Sequence, residues 1–193
     1  MTPYTAQTFD LPELSGISKG QIDAHIALYE GYVKHTNKIG ELLGDANLDS
    51  YAASELKRRF GFEFDGMRLH EYYFGALVGG PSDFDPASPL GKALVDQFGS
   101  YDKLADALTE AGMTRGSGWA LLYFDTHAQQ FLIHWADEHH LGHLATLPVV
   151  LALDCWEHAY MIDHDTTGRK QYIAHYLANL NWETLNQWFT KYE

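Results

Sequence analysis

Apolar residues recur at every third or fourth position through the first part of the chain, and in alternating or unbroken runs further on. From Lys19 to about Leu43 the set Ile22, Ile26, Tyr29 and Val33 keeps a period near 3.6, which predicts an amphipathic helix. Ser18, with Gln21 three residues on, has the form of a capping box at its start. Asp49 or Ser50 is placed to cap a second helix, which Lys57-Arg58-Arg59-Phe60 closes or continues. Gly61 and Gly66 read as interruptions, after which a further helix carries Met67, His70, Tyr73, Phe74 and Leu77. The run Gly79-Gly80-Pro81-Ser82 is the strongest break in the chain. Beyond it, Pro89 to Phe98 and Tyr101 to Gly112 read as short helices. Trp119 to Phe124, Gln130 to Trp135 and Val149 to Leu153 read as three strands, and Arg169 to Leu180 and Trp182 to Tyr192 as closing helices. The expected class is α+β: an N-terminal α-hairpin domain over 1–80, then a domain over 81–193 with a three-stranded antiparallel sheet framed by helices.

Composition narrows what such a fold binds. The chain of 193 residues is 46% hydrophobic and 14% aromatic, with 12 Tyr, so it can bury a dense polar-aromatic interior. A formal net charge of -13 argues against nucleic acid and anionic membrane surfaces, both of which are held by basic patches. No stretch approaches the ~20 apolar residues of a membrane span. Met1 to Ala6 have neither the basic nor the apolar run of a secretory leader. Cys155 is the only cysteine, which excludes an intrachain disulfide and fits a cytoplasmic protein.

The chemistry gathers at Asp154-Cys155-Trp156-Glu157-His158-Ala159-Tyr160. A carboxylate at the end of the apolar run Val149 to Leu153 is costly to bury without a partner. His158 follows at i+4, and a helical turn after Asp154 brings the two side chains together. That pair suits a first-row metal; the plainer reading is a capped helix with Asp154 as N-cap and a core histidine at 158. His25 and His70 lie near the apolar stripes of their helices, where a lone histidine is ordinarily a hydrogen-bonded core residue. Taken together, three imidazoles and one carboxylate form a donor set with a single negative charge, placed between the two halves and suited to a metal cycling between +2 and +3.

The heptapeptide resembles the D-x-W-E-H-A-Y signature of the iron/manganese superoxide dismutases. The likeness covers nearly the whole chain: Phe9 to Leu14 is similar to that family's F-x-L-P-x-L opening and Ser18 to Asn37 to its first helix. Leu69-His70 with Tyr73-Phe74 resembles its second ligand helix, Gly116-Ser117-Gly118-Trp119 its G-S-G-W turn, and Asn181-Trp182-Glu183 its N-W-[DE] ending. The resemblance implies dismutation of superoxide to oxygen and hydrogen peroxide, an antioxidant activity, with one Fe or Mn ion per subunit held by His25, His70, Asp154 and His158. It implies a dry wall of Trp119, Trp156 and Phe74, and Tyr32 as the gateway tyrosine. It places His139 as the outer residue that bonds solvent at the metal, with His140 and His143 as close alternatives. Glu157 would reach a partner subunit's copy of His158, giving a homodimer or a tetramer, and Arg169 and Tyr172 would support funnel and interface. Lys34, Arg169 and Lys170 are the expected cations at the funnel.

The chain also departs from the family pattern. One residue is missing between His25 and Tyr32, which predicts regular α-helix where relatives carry a π-bulge, and Tyr29 stands nearest the usual gateway histidine. Met161 replaces a second tyrosine and is expected to pack on Tyr29 across subunits; Leu121 replaces a second tryptophan. These changes leave open a relative repurposed for another redox role or weakly active. A zinc hydrolase with Glu157 as base fits less well, because such a site wants three protein ligands and an open position.

Overall fold

The computed structural model describes residues 1–192. Helix α1 spans Lys19–Leu42 and α2 spans Ser50–Gly75. The glycines at 61 and 66 do not interrupt α2, contrary to expectation; its 26 residues form one helix because a glycine lowers helix stability by only about 1 kcal/mol while a buried face repays it. Asp49 caps α2, its side chain accepting from the backbone N–H of Tyr51 and Ala52. The helix α1 is regular throughout, with Gln21, Ile22, His25, Tyr29, Val33, Thr36 and Ile39 buried along one side.

Helices α3 (Pro89–Phe98) and α4 (Tyr101–Gly112) lead to strands β1 (Gly118–Asp125), β2 (Gln130–Asp137) and β3 (Val149–Asp154). The sheet is antiparallel in the order β2-β1-β3, so β1 is its centre and Trp119 stands opposite Asp154. A 3-10 turn, Glu157–Ala159, follows β3, then α5 (Arg169–Ala178) and α6 (Trp182–Phe189). Strand β1 is buried on both faces for most of its length, with α4 on one side and α2 packed close to β3. No helix among the described residues is long and apolar enough to cross a membrane.

Two local devices tie the helical half to the turn after β3. Ser18 Oγ accepts from Gln21 N at 3.1 Å, but the Gln21 side chain does not return to Ser18 as a capping box requires. Instead Gln21 is fully buried; its Nε2 donates to the carbonyl of His158 and its Oε1 accepts from Ile162 N at 2.9 Å. The Ser18 N–H goes to Asp163 Oδ2 at 2.6 Å, so the vacated half of the box is filled from the far end of the chain.

Candidate metal centre

Four side chains meet where α1, α2 and the end of β3 converge. His25 from α1 and His70 from α2 are fully buried, because each occupies an apolar stripe whose neighbours at i+4 (Tyr29 and Phe74) are core residues. Asp154 closes β3 and is fully buried, and His158 lies on the 3-10 turn and is partly exposed. Asp154 is not the N-cap of a helix as the plainer reading had it: the 3-10 turn is capped at Trp156 without a side-chain cap bond, and Asp154 divides its oxygens between the start of the turn and the imidazoles. Its Oδ1 accepts from Trp156 N at 2.8 Å, which starts the turn, while Oδ2 faces the imidazoles. His25 Nε2 lies 3.0 Å from Oδ2, His158 Nε2 3.1 Å and His70 Nε2 3.5 Å. The donor atoms of all four lie within 4.8 Å of one another.

The protonation states suit a cation. His70 Nδ1 lies 2.6 Å from the carbonyl oxygen of Gly66, which can only accept, so the proton is on Nδ1 and Nε2 carries the lone pair. That lone pair has no hydrogen-bond partner and faces a carboxylate oxygen. Two acceptors turned toward each other in a dry interior are repulsive, and a positive ion between them satisfies both. Burial pushes the His25 pKa down and the His70 pKa well below the ordinary value, which keeps both rings neutral. Burial alone would raise the Asp154 pKa, but the interaction with His158 and the hydrogen bonds from His158 and His25 outweigh it and hold the carboxyl well below its usual range. Tyr172 is also part of the support rather than of any funnel: it is fully buried and its hydroxyl donates to the Asp154 carbonyl at 2.9 Å.

Around the four lies an aromatic shell. Trp119 is 5.1 Å from His70, Phe74 4.9 Å from His25 and Trp156 5.7 Å from His158, measured between ring centres. Trp119 Nε1–H donates to His139 Nδ1 at 3.0 Å, so neutral His139 carries its proton on Nε2 and donates to the Tyr32 hydroxyl at 2.7 Å. His139 is fully buried, and burial pushes its pKa down to about 3. Burial, then the charges of Asp154 and Glu63, push the Tyr32 pKa up. His140 is turned toward Phe62, and His143 contacts the backbone of His139 rather than the ring of Tyr32.

Sequence reasoning missed three residues here. Phe62 sits 4.7 Å from His139 and 6.1 Å from Tyr32, on the face of α2 that the supposed break at Gly61 concealed. Gly66 lets Tyr32 lie against α2, since a Cβ there would stand 2.8 Å from the Tyr32 ring. The cation whose field reaches both Tyr32 and His139 is Arg59, stacked 3.8 Å over Phe62 and paired with Glu63 at 2.8 Å. The expected cations lie elsewhere in part: Arg169 donates to the Thr114 and Gly116 carbonyls, and Lys170 lines a cleft with Asp163 and His164. A helical wheel over an unbroken α2 would have put Arg59, Phe62, Gly66 and His70 on neighbouring faces.

The family departures also change meaning. Tyr29 is fully buried, its hydroxyl accepting from Gln7 N at 2.8 Å and donating to Glu71 at 3.2 Å, so its ring is not open to a partner's Met161 as expected. Glu157 is exposed in the single chain and accepts from Ser117 Oγ at 2.8 Å.

A profile of the C-terminal domain of iron/manganese superoxide dismutases matches residues 86–188. Among curated proteins, the "Superoxide dismutase [Fe]" of Aquifex pyrophilus is 34% identical over 92% of this chain and 86% of its own length. Those of Saccharolobus solfataricus and Cupriavidus metallidurans are 31% and 32% identical, covering 91% and 89% of this chain and 87% of each relative. With a donor set of this composition beneath that similarity, the chain belongs to the iron/manganese superoxide dismutase family.

Proposed function

We propose that this enzyme converts superoxide to oxygen and hydrogen peroxide at one iron ion held by His25, His70, Asp154 and His158, with Tyr32 and His139 governing proton delivery. The observation that carries the reading is the convergence of three imidazole nitrogens on Asp154 Oδ2, with the His70 lone pair unpartnered. When bound, the ion supplies the one-electron couple by which two superoxide anions and two protons become one oxygen and one hydrogen peroxide. The protein does the rest. Buried His25 and His70 stay neutral and Asp154 stays ionised, so the donor set needs no deprotonation near neutral pH.

Tyr32 accepts from His139, which leaves its own O–H free to donate toward the site, and its raised pKa keeps that proton in place at neutral pH. Trp119, Phe74 and Trp156 exclude bulk water from the donor atoms. Arg59, stacked on Phe62 and paired with Glu63, is a cation whose field reaches both Tyr32 and His139 on an otherwise acidic chain. Iron is the ion in the names of these relatives; manganese, with the same ligand preferences, is the competitor. Exposed Glu157, beside partly exposed His158, is the surface through which a homodimer would form, and a cytoplasmic location suits an unpaired, buried Cys155.

The test is metal content of the purified protein, followed by superoxide dismutation after separate reconstitution with iron and with manganese. Activity with iron alone at near-stoichiometric loading is the expected result. Activity with manganese alone, or with both, would overturn the metal assignment, and tight metal binding without dismutation would overturn the activity. Sedimentation of wild type and Glu157→Gln reads the dimer, which the substitution should weaken.

A further inference from the structure

The histidine-rich run after β2 holds His140 and His143 besides His139, and of these two it is His143 whose ring nitrogens are both engaged. We propose that His143 is a positioning residue for the reaction: anchored by Tyr123, it pins the backbone of His139 and so holds the His139 imidazole between Trp119 and Tyr32. The kinetic arm of this inference rests on the proposed dismutase activity; the spectroscopic arm does not.

His139 needs such a support because it stands on neither helix nor strand. Strand β2 ends at Asp137, and Glu138 is a non-glycine residue at φ 53, in the left-handed region. The turn closes through Leu141 N to Asp137 O at 3.2 Å, and Glu138 N donates to Ser117 O at 3.0 Å. A turn holding a strained residue persists only where its surroundings over-determine it, and a catalytic ring must be held to within about 0.5 Å. His143 supplies the missing constraint. Its Nε2 lies 2.7 Å from the His139 carbonyl, which can only accept, so the proton is on Nε2. Its Nδ1 then accepts from the Tyr123 hydroxyl at 2.7 Å.

Tyr123 is buried in β1, and it lies on the same face of that strand as Trp119. One rigid strand therefore grips His139 twice, through Trp119 on the ring and through Tyr123 and His143 on the backbone. Asp65, 3.9 Å from His143 Nε2, is beyond hydrogen-bond reach and acts only through its charge.

The experiment compares wild type with His143→Ala and His143→Gln, the latter keeping an amide donor for the His139 carbonyl. In protein loaded with diamagnetic zinc, long-range proton–nitrogen NMR should show His139 as the Nε2–H tautomer with a slowly exchanging ring proton. We expect that signal to persist in His143→Gln and to broaden or vanish in His143→Ala. In iron- or manganese-loaded protein of equal metal content, His143→Ala should lower kcat about tenfold, short of the ~100-fold of a 1 Å misplacement, at unchanged KM. His143→Gln should restore most of that loss. An unchanged ring signal and unchanged kcat in His143→Ala would overturn the inference, as would a His143→Gln variant no better than alanine. If His143→Ala fails to fold, Tyr123→Phe, which frees the anchor and keeps the His143–His139 contact, carries the same readouts. Wild type inactive with both metals would sink the dismutase reading and leave the ring signal as the arbiter.

Discussion

The centre is assembled from two kinds of support, and they do not behave alike. The α1–α2 side offers His25, Tyr32 and His70 from regular helix, where one face of 3.6-residue periodicity fixes every side chain at once. The sheet side offers Asp154, His158 and His139 from the end of a strand, a 3-10 turn and a strained turn. Helical donors are held chiefly by packing, the one bond to His70 Nδ1 coming from Gly66 of its own helix: His25 touches His70, Tyr73, Phe74 and His158 ring to ring, all within 5.0 Å. Donors from the sheet side are held by named hydrogen bonds, several of them from distant residues such as Gln21 and Tyr172. Packing degrades gradually when disturbed, whereas a single lost hydrogen bond releases a turn, so the two sides should fail differently.

The largest break is at the residue both sides share. Asp154→Asn keeps the shape but removes the negative charge toward which three imidazole nitrogens point. Metal content after dialysis should fall to a small fraction of one ion per chain, a greater loss than the roughly 10–100-fold that follows removal of a supporting hydrogen bond. Activity should fall with it. Near-full metal retention in Asp154→Asn would mean that the three histidines suffice.

Acid separates the imidazoles, which come from both sides, from the carboxylate by the pH at which each responds. Folded pKa values of His25, His70 and His139 all lie below 6.5, because burial disfavours the charged ring. Below about 6.5 the unfolded chain therefore takes up protons that the folded chain refuses, so stability is present above that pH and lost as pH falls. Each ring contributes a slope of up to about 1.4 kcal/mol per pH unit. Asp154 has its folded pKa depressed below 3.8, so its contribution persists to lower pH and is lost only below that value. Urea midpoints of the metal-free protein should fall steeply from pH 6.5 toward 4 and keep falling beyond. His139→Gln, which removes one titrating ring, should flatten the upper part, and an unchanged slope would show that His139 is not held neutral.

How far the sequence could be read follows the same division. Helix α1, the second half of α2 and the three strands lie in strong patterns of 3.6 period or unbroken apolar runs, which carry His25 and His70, and one seven-residue signature carries Asp154 and His158. What escaped was tertiary compensation. Gly61 and Gly66 look like breaks because local propensity counts against them, yet one is tolerated in a packed helix and the other makes room for a ring from α1. Gln21 looks like half of a capping box because Ser18 precedes it by three, and no local rule shows that the His158 carbonyl competes for its amide. Arg59 does not stand out in the sequence beside Lys34, Arg169 and Lys170, because its place beside Phe62 depends on α2 continuing through Gly61.

Gln21 tests the cross-connection between the sides. Gln21→Leu fills the same volume but leaves the His158 carbonyl and the Ile162 N–H without their partner. A fully buried group left unpaired costs about 1–3 kcal/mol, and these two, only partly buried, lose toward the lower end of that range; the loss should localise to the turn. Thermal unfolding should shift down, and a chelator should strip metal faster through the His158 side. If the chelation rate is unchanged while stability falls, α1 packing rather than the turn carries the effect.

Gly66→Ala gives the smallest expected change in stability and the sharpest contrast with Gln21. In an open helix alanine would gain about 1 kcal/mol over glycine. Here the added Cβ would stand 2.8 Å from the Tyr32 ring, closer than real contacts allow, and overpacking of that kind costs typically 1–3 kcal/mol. The two effects leave a net destabilisation of about 0–2 kcal/mol, because Tyr32 is only half-buried and its ring can give way outward. That movement would draw the Tyr32 hydroxyl from His139, 2.7 Å away, without touching the His70 bond to the Gly66 carbonyl. Metal content should therefore stay near wild type while turnover falls, which separates the proton-donating side of the site from the ion-holding side. Gly66→Ala with wild-type turnover would show that the Tyr32–His139 contact tolerates displacement; loss of metal would show instead that the clash is relieved through α2 and reaches His70.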